Sequence, residues 1–165
     1  MDDDKFWAMV EECHTASRDN MDRKEQLIKA AISRLSRDDA LAFFQIFQRM
    51  MDTAFTWPLW GAAYVVNGGC GDDSFTDFRA SLISRGRTVF DKAIADPDSL
   101  ADDDTDTANW FHEGFQYAIV EGVKANTGSR PRRASPPPSS PAGLRWTEAT
   151  VGGYYPRLVQ KLGLR

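Results

Sequence analysis

Apolar positions recur along most of this chain at the three- and four-residue spacing of an amphipathic helix. Phe6, Met9, Val10 and Cys13 share one face of a stretch from Asp2 to about Ser17, with acids in the first turn, where the helix dipole favours them. Arg18-Asp19-Asn20 interrupts the pattern. A second helix is predicted from Met21 to Leu35, with Leu27, Ile28, Ala31, Ile32 and Leu35 inward. Ser36-Arg37-Asp38-Asp39 resembles a capping box and opens a third helix to about Phe55. That helix is the most apolar, and its Phe43, Phe44, Phe47, Met50 and Met51 make a stripe wide enough for contact on more than one side.

The stretch from Trp57 to Gly86 is the organising one. Pro58 suits a first helical turn, and Gly61-Ala62-Ala63 in the short helix from Leu59 to Val66 admits a close neighbour. Asn67-Gly68-Gly69 supplies the left-handed residues of a helix end. Asp72-Asp73-Ser74 is expected to cap the next helix, which carries Phe75, Phe78, Leu82 and Ile83. Helices are predicted again over Arg87 to Ala95 and, as one long element, Thr107 to Asn126, with an acidic loop from Asp98 to Asp106 between them. Ser129 to Gly143 is rich in Pro, Ser and Arg and reads as an extended linker. Apolar residues return at Trp146 and in a helix from Tyr154 to Leu162.

No strand alternation and no internal repeat is present, so the predicted class is all-α. The expected architecture is a single compact bundle of about six to eight helices with a Pro-rich linker and a docked C-terminal helix. The expected division is a helical domain over 1–128, a linker over 129–143, and a C-terminal segment over 144–165 packing back on the domain.

Composition narrows the function classes. An apolar share of 42 % is a globular value, and no apolar run reaches membrane-spanning length. Cys13 and Cys70 make no disulfide framework, which points to a reducing cytoplasm. Residues 1–104 hold 20 acids against 12 bases, whereas 105–165 hold 4 against 8. An acidic body disfavours nucleic acid, because phosphate contacts need clustered Lys and Arg. The basic tail either returns to the acidic body or, the preferred reading, stays solvated.

One family resemblance is carried by Phe6-Trp7, Trp57-x-x-Trp60-Gly61-Ala62-Ala63-Tyr64, Asn67-Gly68-Gly69-Cys70 and Asp72-Asp73. It continues through Phe75, Phe78-Arg79, Leu82-Ile83-Ser84-x-Gly86 and Asp96-Pro97-Asp98-Ser99-Leu100, and more weakly at Trp146 and Tyr155-Pro156-Arg157-Leu158. In these residues the chain resembles a bacterial family known as domain of unknown function 4240. The resemblance implies a small cytoplasmic helical protein and no particular activity.

The constellations with chemical potential are few. Asn67-Gly68-Gly69-Cys70-Gly71 precedes a helix start, the geometry of an anion site, but Asp72 and Asp73 occupy that positive end and no Walker lysine follows. Cys70 near the same helix start could be an activated thiol, yet its only potential imidazole bases are the distant His14 and His112. Those two histidines, without paired cysteines, do not suggest zinc. Asp102, Asp104, Asp106 and Glu113 match EF-hand spacing, but Thr107 stands where the loop needs Gly. No metal and no cofactor is therefore expected. Arg130, Arg132 and Arg133 before Ser135 read as solvated linker, or as a contact or phosphorylation site.

The preferred functional reading is a binding or regulatory protein that meets a protein partner or a small polar ligand through Trp57, Trp60, Tyr64, Asn67, Cys70, Asp73 and Arg79. An enzyme is the alternative, with Asp72 or Asp73 as acid/base and Arg79 orienting a small polar substrate. Equally, these groups could form a capped helix end with an Arg–carboxylate brace. A third reading is an immunity-type protein whose acidic body matches a basic toxin.

Overall fold

The computed structural model describes residues 1–164. Its order is α1 (Asp3–Ser17), α2 (Met21–Ser33), α3 (Arg37–Thr53), α4 (Trp57–Asn67), α5 (Asp72–Ile83), α6 (Arg87–Ala95), α7 (Gly114–Thr127) and α8 (Pro156–Lys161). Short 3-10 turns at Pro97–Asp102, Thr107–Phe111 and Val151–Tyr154 fill the joins. Among the described residues there is no strand, only an isolated bridge between Thr56 and Ala142. The all-α class and the docked C-terminal helix are as the periodicity led one to expect.

Polar side chains set the helix starts. Asp2, Asn20, Ser36 and Thr56 each accept a hydrogen bond from the backbone N–H three residues on, satisfying one of the donors a first turn leaves open. The core is strongly aromatic: Phe6, Phe43, Phe47, Phe75, Phe78 and Phe115 are fully or almost fully buried. α3 runs through its middle, and α2 lies along α7. Their approach is close because Gly122 sits against the Lys29 backbone, where an added Cβ would come within 3.0 Å. The Asn126 amide seals the far end, donating to the carbonyl oxygens of Ile32, Ser33 and Leu35.

Four expectations are corrected. The long helix over Thr107 to Asn126 is broken at His112, whose backbone is extended (φ −79°, ψ 119°). The hydroxyl of buried Ser81 meets both the N–H and the carbonyl of His112 at 3.2 Å, a contact from α5 that local propensity cannot show. The supposed acidic loop starts as a 3-10 turn that buries Asp98, Ser99 and Leu100. Asp72 and Asp73 do not cap α5; its N-cap is Gly71, with no side-chain bond, and they are its first two helical residues.

The Pro-rich stretch, finally, is not simply solvated. Gln45 of α3 donates to the Arg132 carbonyl at 2.8 Å and accepts from the Ala134 N–H at 3.0 Å. The Arg133 guanidinium reaches Asp52 at 2.5 Å and Gln48 at 2.6 Å. Beyond it, Arg157 pairs with Asp102 and Lys161 with Asp104, so the basic tail does return to the acidic body.

One buried charge stands out. Lys24 on α2 is fully buried, with Nζ 3.3 Å from Ser84 Oγ and 3.9 Å from Asp19 Oδ1. Arg85 binds Asp103 through two nitrogens and Asp19 through a third. Burial in this cationic company lowers the Lys24 ammonium to about 8.

Candidate functional site

α4 is the element on which the aromatic residues converge. Its first turn starts at Thr56, with Pro58 pre-set for the helix, and it ends at Gly68 in the left-handed conformation (φ 67°) that glycine adopts without strain. The Trp57 and Trp60 rings stack at 5.3 Å and 9°. Trp60 stacks in turn on Phe75 of α5 at 4.8 Å and 12°, and its indole N–H donates to the Cys70 carbonyl at 2.8 Å. The Gly-rich turn is thus tied to α4. Asn67 reinforces it by donating to the Gly69 carbonyl at 2.8 Å.

Arg79 lies under this stack. Its guanidinium carbon is 4.8 Å from the Phe55 ring centre and 5.0 Å from that of Phe75, a cation–π arrangement. Nη1 donates to the Met51 carbonyl at 2.8 Å and Nη2 to Thr76 Oγ1 at 3.3 Å. Burial lowers the Arg79 guanidinium to about 10. The expected Arg–carboxylate brace is replaced by this bond to the end of α3: among the described residues no ion pair joins Arg79 to Asp72 or Asp73. Both carboxylates are exposed on the first turn of α5. The two carboxylates considered for acid/base work thus stand in solvent, while the Arg79 considered for orienting a substrate bonds the end of α3.

Cys70 is half-buried, and burial pushes its thiol up to about 11. A thiol so placed is protonated at neutral pH and is a poor nucleophile. Cys13 on α1 is likewise raised to about 11 by burial.

The exposed side of the tryptophan pair receives the C-terminal segment. The Trp146 indole N–H donates to the Trp57 carbonyl at 2.7 Å, and its ring packs edge-on against Trp57 and tilted against Tyr64. The Tyr155 hydroxyl donates to the Pro58 carbonyl, and Arg145 stacks over Trp57 at 4.9 Å. Gly61 makes this possible, since a Cβ there would run into the Trp146 indole and the Tyr155 hydroxyl. Beside the seam is a cleft of about 270 Å³ walled by Pro58, Pro97, Leu144, Trp146, Tyr154 and Tyr155, with Asp96 and Arg145 also lining it. Leu144 is 90 % exposed and Tyr154 63 % at its rim.

Of the residues marked in the sequence, Trp57, Trp60, Tyr64 and Cys70 come together here. Asn67 serves the turn, Arg79 lies beneath it and Asp73 stands outside. Leu144, Arg145 and Tyr154 belong to the docked C-terminal segment, the other surface through which a partner was expected, but were not marked individually. The signal that could have found them is the glycine in Trp60-Gly61-Ala62, which announces a close neighbour without saying which segment supplies it.

The fold and seam define a small all-α protein whose aromatic hub is closed by its own C-terminal segment; no described helix is long and apolar enough to cross a membrane. The chain belongs to a family described as a protein of unknown function (DUF4240), whose family model matches residues 1–122. The match ends inside α7, ahead of the Pro-rich stretch and the C-terminal segment. Comparison with curated proteins finds no match, and comparison with solved structures finds none either.

Proposed function

We propose that this protein acts by binding a partner protein, and that the seam between α4 and the C-terminal segment is its recognition surface. The observation that carries the reading is the largely apolar cleft, which Asp96 and Arg145 also line, with Leu144 and Tyr154 standing exposed at its rim. Partner interfaces concentrate energy in a few aromatic and Arg anchors, and Trp57, Arg145, Trp146 and Tyr154 are residues of that kind. A partner offering an apolar side chain to the cleft and a polar rim to Arg145 fits it. A cytoplasmic location agrees with the two free cysteines.

The enzyme reading draws no comparable support, because Arg79 faces the core and Asp72 and Asp73 face solvent. The immunity reading is weakened by the return of Arg133, Arg157 and Lys161 to acidic partners, which neutralises part of the acidic body.

The test is photo-crosslinking in the native host, with the reactive amino acid at position 144, at position 154, or at the exposed Asp91 as control. One discrete adduct formed from 144 and 154, absent from 91 and lost when Trp146→Ala is added, is the expected result. Adducts no different from the control at both rim positions refute the proposal.

A further inference from the structure

A second group of residues, away from the aromatic seam, carries a separate chemistry. Asp22 and Glu25 occupy the first turns of α2 three residues apart, so they share a face. His112 reaches them from the break ahead of α7, where Ser81 holds its backbone. The imidazole Nε2 is 3.6 Å from Asp22 Oδ1, and Nδ1 is 2.5 Å from Glu25 Oε1. Taking one ligand atom from each residue, the three lie within 4.8 Å of one another.

Two observations set this apart from an ordinary surface ion pair. Glu25 Oε1 and His112 Nδ1 are both closed off from solvent and face each other, and neither has a further partner among the described residues. The second is Gly114, the residue that begins α7. A Cβ built there would collide with all three atoms of the Glu25 carboxylate, so the backbone leaves open the space the carboxylate fills. Gly114 has no positive φ, and its lack of a side chain serves this approach rather than a turn.

The charge balance points the same way. Two carboxylates face one imidazole, and Glu113 and Asp77 add further negative charge nearby, Asp77 being raised by burial and by Glu113 and Asp73. Protonating the ring neutralises only one of these charges.

We propose that Asp22, Glu25 and His112 form a binding site for a divalent transition-metal ion, of which Zn2+ is the best match. One imidazole nitrogen and two carboxylate oxygens are three protein ligands, leaving a fourth tetrahedral position open. The nitrogen ligand favours zinc-like ions over Ca2+ and Mg2+, which select oxygen sets.

Chelator-treated full-length protein titrated calorimetrically with ZnCl2, and in parallel with CaCl2, tests this. The expected result is one Zn2+ per chain, with Ca2+ far weaker, and a loss of about tenfold or more in affinity for His112→Gln. Gly114→Ala is the decisive companion. It keeps every ligand but presses a methyl group into the carboxylate; Zn2+ binding should fall at least about tenfold while the melting temperature does not. His14→Gln should bind as the wild type does. Absence of stoichiometric Zn2+ binding overturns the proposal, as does binding that His112→Gln and Gly114→Ala leave unchanged, or that His14→Gln abolishes.

Discussion

Asp98 caps a helix that begins far along the chain from it. Its carboxylate accepts from the Arg157 N–H at 3.1 Å and the Leu158 N–H at 2.9 Å, the donors that the first turn of α8 leaves open. Asp98 is buried in a 3-10 turn that α6 and α8 both contact. A side chain of the bundle thereby fixes where the C-terminal helix starts. Asp98→Ala should cost about 1–2 kcal/mol in denaturant unfolding, the usual worth of an N-cap. It should also raise hydrogen exchange at Leu158 and Val159 ahead of the rest of the molecule. Equal exchange in variant and wild type would sink this assignment.

Gly61 supports the same docking from α4. Gly61→Val puts a branched side chain where the Trp146 indole and the Tyr155 hydroxyl now lie. Residues 144–162 should come away, at a cost of about 1–3 kcal/mol. Limited proteolysis reads this directly, with cleavage near residues 129–143 faster than in the wild type while a protected core survives.

Arg79 is expected to resist conservative exchange. Its planar guanidinium spans the Phe55 and Phe75 rings and bonds Met51 and Thr76 together, which an ammonium on a lysine stem cannot reproduce. Arg79→Lys should destabilise by about 2–3 kcal/mol, the scale of a lost charged hydrogen bond. Asp73→Asn, at an exposed position, should stay within about 0.5 kcal/mol. Chemical denaturation of the two variants side by side checks both.

Lys24 gives a pH signature. Its ammonium, ordinarily near 10.5, is lowered to about 8 by burial and by Arg85, so the unfolded chain holds a proton that the folded one has lost between those values. Stability from this group is therefore depressed in full below pH 8 and recovered as pH rises towards 10.5. Lys24→Met removes the titration. Its advantage over the wild type should shrink by about 3 kcal/mol between pH 7 and 11. Taking the difference removes most of the opposite trend of Cys13, whose thiol is raised chiefly by burial. A gap that does not change with pH would show that the fold leaves the Lys24 ammonium unshifted.

The helices from α1 to α6 were legible from local marks: periodic apolar positions in each, a capping Asp, Asn, Ser or Thr at the starts of α1 to α4, and a glycine or Asp-Pro just past the ends of α4, α5 and α6. What escaped depends on partners remote in sequence. The break at His112 is made by Ser81, and nothing within Trp110-Phe111-His112-Glu113 announces it. The strap of residues 129–143 has the composition of a free linker, yet Gln45 and Asp52 on α3 hold it. Asp22, Glu25 and His112 show no ligand spacing when read in order, because the fold alone brings α2 to the start of α7. The aromatic hub was legible as a cluster, but the face Trp146 covers and the rim it leaves exposed were not.

The tryptophan seam also sets a timetable for synthesis. Trp146 lies 89 residues after Trp57, so the hub leaves the ribosome long before its cover. At about 5–20 residues per second, Trp57 and the notch at Gly61 stay uncovered for roughly 4–18 s. Nascent chains stalled between α4 and residue 146 should therefore recruit chaperones through those indoles, and release them once the last helix has emerged.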